Sequence, residues 1–148
     1  MSLQLLKTGM LSPARDNSEN MHTSSKDSIE TSLVTKLMQL DRDVFAVAIF
    51  GFDGKLEAYV AKEFFAKEHR SEADVWEKAA LRHAAVIKLS NEDLPETNWT
   101  TGIVFFRKEY KHILIPIPSR RIVIEAVMPL WNHSTVFFDN VHRYFEKK

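Results

Sequence analysis

The 148-residue sequence contains no cysteine, only four glycines, and no excess of either charge. The absence of cysteine excludes disulfides, a thiol nucleophile and thiolate metal sites, and it is compatible with a reducing cytoplasm, where we expect the protein to act. Lysine plus arginine and aspartate plus glutamate number 20 each, which argues against a general nucleic-acid binder because such proteins usually carry a basic excess. No apolar run approaches the ~20 residues that span a bilayer, so no membrane span is expected.

Catalytic and metal-binding signatures are also missing from the sequence. It has no Gly-x-Ser-x-Gly elbow and no His-Glu-x-x-His pair. His69 and His83 flank the middle helix, and at ~1.5 Å per residue they are about 20 Å apart, too far to share a metal. We therefore expect a protein that is not an enzyme, with no catalytic residue, cofactor or metal.

Composition divides the chain into two parts. Residues 1–26 are rich in Ser, Asn, Thr and Asp and show no sustained periodicity, which predicts a flexible N-terminal tail. Residues 27–148 have the apolar patterning of one domain, and the 45% hydrophobic content of the chain is sufficient for a sizeable core.

The first half of the domain predicts a helix followed by a β-hairpin. Apolar residues on one face, with Asp27 and Glu30 arranged as a capping box, predict a helix over about 28–41. In DVFAVAIF every residue after Asp43 is apolar, which is typical of a strand buried on both faces, while KLEAYV alternates like a half-buried strand. The linking sequence Gly51-Phe52-Asp53-Gly54 lacks the spacing of a phosphate or calcium loop, so we interpret it as a hairpin turn.

The second half predicts a helix, three strands and a final helix. The segment SEADVWEKAALRHAAVIKLS has a wide, alanine-rich apolar stripe at helical spacing. TNWTTGIVFFRKEY, KHILIPIP and RRIVIEAVM read as strands whose short connections predict an antiparallel meander, and Ser134 begins the last helix.

This order of elements resembles the roadblock family (roadblock/longin-like, related in topology to profilin and PAS domains). The resemblance is carried by the hairpin VAIFGFDGKLEAYV, the helix EKAALRHAAVIKLS and the strands HILIPIPSRRIVIEAVMP, and it covers residues 27–147. It implies an α+β fold with a five-stranded antiparallel sheet and helices on both faces. One departure is Pro116 in a strand that is internal in the family, which indicates either a bulge or a different strand order.

The resemblance also implies a role: a homodimeric, non-enzymatic interaction module whose partners are small GTPases or larger scaffolds. The middle helix and third strand would meet those of a second copy. The residues this assigns to the dimer face are Trp76, Ala80, His83, Ala84, Ile87, Ile103 and Phe105. For His83 alone, two interpretations are open: a packed histidine with one hydrogen bond, or a pH-sensitive dimer contact.

Two further interpretations remain open at the level of sequence. Five basic residues near the strand ends form either a solvated, charged edge or a patch for an acidic partner or a nucleotide phosphate: Arg107, Lys108, Lys111, Arg120 and Arg121. The alternative function is a PAS-like small-molecule sensor, which would keep the same strands and leave a pocket between sheet and helix.

Overall fold

The computed structural model describes residues 21–23, 29–69 and 73–146. Six strands and four α-helices follow one another in these ranges, with 3-10 turns at Glu96–Asn98 and Pro118–Arg120. In chain order they are β1 (Met21–Thr23), α1 (Ile29–Met38), β2 (Ala46–Gly51), β3 (Leu56–Lys62), α2 (Glu63–His69), α3 (Ala73–Asn91), β4 (Ile103–Phe106), β5 (Tyr110–Ile117), β6 (Ile122–Pro129) and α4 (Ser134–Glu146).

The five predicted strands and three predicted helices are all present in the predicted order, and every strand pair is antiparallel, which confirms the α+β fold class. Two elements were not predicted. The strand β1 pairs with β3 and falls within the predicted tail of residues 1–26, the rest of which lies outside the described residues. The helix α2 follows β3 directly and has only seven residues, too few for a helical period to be evident in the sequence.

The six strands form one sheet in the order β1-β3-β2-β6-β5-β4. Strand β2 lies inside it, with Ala48 opposite Tyr59 of β3 on one side and Glu125 of β6 on the other. This position explains why the sequence of β2 is apolar at every residue. At the far end, β4 pairs with β5 and forms the outer edge of the sheet.

Helices cover both faces of the sheet, as the resemblance implied. Alternate residues along β2 separate the two layers: Val47 and Ile49 pack in the core beneath α1 and α4, whereas Ala46, Ala48 and Phe50 pack beneath α2 and α3. The same alternation in β6 sends Glu125 to the face that α3 covers, because its neighbours Ile124 and Ala126 belong to the opposite core.

Pro116 is accommodated without a change of strand order. It lies in β5 opposite Val123 of β6, but β4 pairs with β5 only as far as Leu114, which faces Ile103. No strand therefore lies beside Pro116 on the β4 side, and the missing N–H removes no ladder hydrogen bond there.

The hairpin between β2 and β3 is closed by the predicted turn. Gly54 donates its N–H to the carbonyl of Gly51 at 2.9 Å, and the Asp53 carboxylate accepts the Lys55 N–H at 3.0 Å. Gly54 has φ +86°, a left-handed conformation that side chains disfavour. These hydrogen bonds all lie within the hairpin, in agreement with the interpretation of this segment as a turn between two strands.

Candidate functional site

Helix α3 packs one side against the sheet of its own chain. The five helix residues predicted for the dimer face form this side, and all are buried within a single chain: Trp76, Ala80, His83, Ala84 and Ile87. The resemblance assigned them to the dimer face, whereas their burial against the sheet of one chain accounts for their apolar spacing.

Small residues in the sheet allow α3 to approach closely. Ala46, Ala48 and Ala61 are fully buried beneath the helix, in the same cluster as Trp76. The indole of Trp76 stacks on the ring of Tyr59, with centroids 5.8 Å apart. Because the strand residues beneath the helix are small alanines, they leave room for the large side chain of Trp76.

A buried carboxylate joins α3 to the two strands beneath it. Glu125 on β6 is only 1% exposed, and its two oxygens bind different histidines. His83 on α3 bonds one oxygen through Nδ1 at 2.9 Å, and His112 on β5 bonds the other through Nδ1 at 2.6 Å. The His83–Glu125–His112 cluster is therefore a polar link across three elements.

The ionisation of Glu125 fixes the direction of both hydrogen bonds. Burial by itself would raise the pKa of Glu125, but the hydrogen bonds from His112 and His83 and the positive charge they can carry outweigh burial and lower the pKa to about 2. An ionised carboxylate only accepts hydrogen bonds, so both Nδ1 atoms donate. In a neutral His112 ring, Nε2 is then a lone-pair acceptor, and it is buried without a hydrogen-bond partner among the described residues.

The cluster also touches the edge of the sheet. The His83 ring stacks on Phe105 of β4 with centroids 5.2 Å apart, and Ile103 on the same strand faces Leu114 of β5. Ile103 and Phe105 are half-buried and lie on the face that α3 covers. All seven residues assigned to the dimer face are thus on one side of the sheet, but the five on α3 point inward.

One flank of α3, beside its buried side, carries a second set of residues that sequence reasoning did not assign to a site; among them Ala79 is buried. Val75, Ala79, Arg82, Val86 and Leu89 follow spacings of four, three, four and three, which places them along one flank of the helix. We call this set the α3 seam. It lies on the β4 side of the helix, because the opposite flank at Leu81 and Ala84 contacts Gly54 of the β2–β3 turn.

The five basic residues predicted as one group do not come together. Arg107 and Lys108 lie in the turn between β4 and β5, whereas Arg120 and Arg121 lie in the turn between β5 and β6. The eight-residue strand β5 separates the two turns by about 25 Å. Lys111 is buried near the first turn, where its ammonium donates to the carbonyl of Asn132.

Within the described ranges, no cluster of three or more histidine, aspartate or glutamate side chains is arranged to hold a metal ion. None of the helices in these ranges has the length and apolar character that a bilayer crossing requires.

Neither a known family profile nor a curated protein matches this sequence. Solved structures do match the fold. A roadblock/LC7 domain from Streptomyces avermitilis superposes with a TM-score of 0.61 at 10% identity, covering 79% of this chain and 92% of that one. MglB of Myxococcus xanthus gives 0.59 at 11% identity, covering 84% and 100%, and an MglB with a tetrameric arrangement gives 0.59 at 7%, covering 80% and 86%. The chain has a roadblock-like fold.

Proposed function

We propose that this protein is a non-enzymatic, homodimeric interaction module that regulates or scaffolds a small GTPase. The observation that carries the proposal is the edge strand β4 beside the α3 seam. Both are on the same side of the molecule, and no described element covers the outer edge of β4. The roadblock-like fold supports this interpretation, since the resemblance implies that these two elements pair between copies.

The edge strand β4 has the properties of a strand that pairs with another chain. Its four residues, Ile-Val-Phe-Phe, are apolar, and its only partner in the described sheet is β5. An apolar edge with unpaired backbone groups favours association, because a second strand satisfies those groups and removes apolar surface from water. A second copy of β4 fits this requirement with an antiparallel pair.

The α3 seam supplies the helical part of the proposed interface. Val75 and Leu89 are exposed at its two ends, Val86 is half-buried, and the small Ala79 between them is buried. A 4-3-4-3 spacing keeps these side chains facing a neighbouring helix over several turns, and the small residue permits close approach. The seven residues first assigned to the dimer face stay part of this proposal: Ile103 and Phe105 lie at the interface, and the five on α3 hold the helix in place behind the seam.

The GTPase part of the proposal is tested by direct binding. Small GTPases of the source organism, loaded with GDP or with a non-hydrolysable GTP analogue, are titrated onto the immobilised protein. We expect one of them to bind with an affinity that depends on the nucleotide. If none binds in either state while the protein remains dimeric, the GTPase role is wrong and the homodimer stands.

A further inference from the structure

The end of the sheet opposite β4 is covered by its shortest strand. β1 has only three residues, and they pair antiparallel with Val60, Ala61 and Lys62 at the end of the seven-residue strand β3. In the strand order, β1 lies outside β3 and β4 lies outside β5. Without β1, the longer strand β3 would therefore be the second edge of the described sheet.

His22 is the residue of β1 whose backbone bonds to β3. Lys62 donates its N–H to the carbonyl of Phe45, the residue before β2, at 2.9 Å, so the backbone groups of Lys62 point towards β2. Neighbouring residues of an antiparallel strand point their backbone groups to opposite sides, and Ala61 therefore points towards β1. His22 is the register partner of Ala61, so these two residues exchange both N–H···O hydrogen bonds. By the same alternation, the N–H of Thr23 points away from β3.

The edge that β1 covers is suited to pairing with another strand. Residues 58–61 read Ala-Tyr-Val-Ala, without a charge, and β2 already holds them in an extended strand. Exposed edge strands are commonly protected from pairing by charged residues, by proline or by a covering segment. The charged residues Glu57 and Lys62 lie on either side of the uncharged run. Within the part of the chain that the structure describes, the protection of this run is therefore β1.

We propose that β1 is a detachable cover that keeps the edge of β3 from pairing with β3 of a second copy. A second β3 fits this edge because an antiparallel pair of identical strands is symmetric and brings the two uncharged runs together. The cover lies at the opposite end of the sheet from β4, so it does not require the proposed homodimer. If β4 does pair between copies, open β3 edges would join dimers into an open-ended chain, and the cover prevents this.

Hydrogen exchange measured by NMR tests whether β1 can detach from an otherwise intact sheet. The full-length variant His22→Pro loses the N–H that bonds to Ala61, whereas the matched control Thr23→Pro loses an N–H that points away from β3. We expect the Ala61 amide to exchange about tenfold faster or more in His22→Pro and at the wild-type rate in Thr23→Pro. The Val60 amide points towards Val47 of β2 and should stay slow in both variants.

Sedimentation velocity of the same variants tests what the open edge does. We expect His22→Pro to form species of larger mass than the wild type at equal concentration, and Thr23→Pro to match the wild type. The increase leads from dimers to larger assemblies if β4 pairs between copies, and from monomers to dimers if it does not.

Three results would overturn the proposal. The first is an unchanged exchange rate of Ala61 in His22→Pro, or a fast Val60 amide, because β1 would then not detach separately from the sheet. The second is fast exchange of Ala61 with no change in mass, because the open edge would then not pair. The third is an equal increase in mass for Thr23→Pro, because the loss of the His22 hydrogen bond would then not be the cause.

Discussion

Glu125 connects α3 to the sheet through a buried hydrogen bond. Its carboxylate accepts hydrogen bonds from a helix residue and a strand residue, and it has almost no contact with water. A buried charge is tolerated only where hydrogen bonds and opposite charge compensate for lost hydration, and the two histidines provide both. The cluster thus fixes where along the sheet α3 is seated.

We expect Glu125→Gln to destabilise the protein by about 2–4 kcal/mol, because the amide cannot accept both Nδ1 hydrogen bonds and one buried donor is left without a partner. Urea unfolding followed by circular dichroism measures the loss. The control is Asp139→Asn, the same type of change at an exposed position of α4, which should stay within about 0.5 kcal/mol of the wild type. Equal effects of the two substitutions would contradict the role of the cluster.

Acid stability provides a second prediction for Glu125. Its pKa is lowered in the folded protein to about 2 from an ordinary value of 4.5, so the folded state favours the ionised form. This contribution is complete above about pH 4.5 and is lost as the pH falls towards 2, for a total of about 3 kcal/mol. The difference in unfolding free energy between wild type and Glu125→Gln should therefore shrink over this range. A difference that stays constant from about pH 5 to about pH 2 would refute it.

Gly54 is a second position where the local structure restricts which residue fits. We expect Gly54→Ala to cost about 1–2 kcal/mol, because φ is +86° and the new Cβ would lie 3.0 Å from Cδ2 of Leu81. Repeating the substitution in a Leu81→Ala background removes the contact with Cδ2 but keeps the contact with the Leu81 Cα at 3.3 Å. If the cost is unchanged there, the Cδ2 contact does not contribute to it, and no loss of unfolding free energy on Gly54→Ala in either background would contradict the prediction.

At the residue scale, the sequence carried only a partial signal for the cluster. Glu125 stands out as one acid within the otherwise apolar strand RRIVIEAVM, which marks it as unusual. Its partners are 42 and 13 positions away, and they meet it only through the register of β5 on β6 and the placement of α3. For His83, the structure supports the interpretation of a packed histidine with a hydrogen bond.

At the element scale, helical periodicity predicted α3 well but not what covers its apolar stripe. The resemblance assigned five residues of the stripe to a second copy, whereas the alanines of β2 and β3 form the surface on which the helix packs within one chain. Periodicity shows which side of a helix is apolar, and the covering element depends on long-range packing. The basic residues illustrate the same limit. They were grouped because they lie near the ends of neighbouring predicted strands, but the two pairs lie at opposite ends of β5 in the structure.

The α3 seam predicts a difference between two leucines on one helix. Leu89 is 68% exposed within the seam, and Leu81 is 61% exposed on the opposite flank. We expect Leu89→Ser to weaken self-association by about tenfold or more, because it removes apolar area at the interface, while Leu81→Ser leaves it nearly unchanged. Sedimentation equilibrium measures the dimer dissociation constant of each variant. A larger effect from Leu81→Ser than from Leu89→Ser would contradict an interface on the β4 side of α3.

At the scale of the whole molecule, the fold followed from patterns rather than from identity. A buried central strand, an alternating neighbour, a short turn and an alanine-rich helix indicated a roadblock-like fold, and the matching structures share only 7–11% of their residues with this chain. The surface proposed for self-association could not be predicted from these sequence patterns. The α3 seam depends on which side chains lie at the flank of the helix once it is packed on the sheet.

The homodimer is tested most directly by sedimentation velocity of the wild-type protein over a hundredfold range of micromolar concentrations. The proposal predicts a species of twice the chain mass of 17.1 kDa that persists on dilution into the low micromolar range. A single species of 17.1 kDa at every concentration would contradict it.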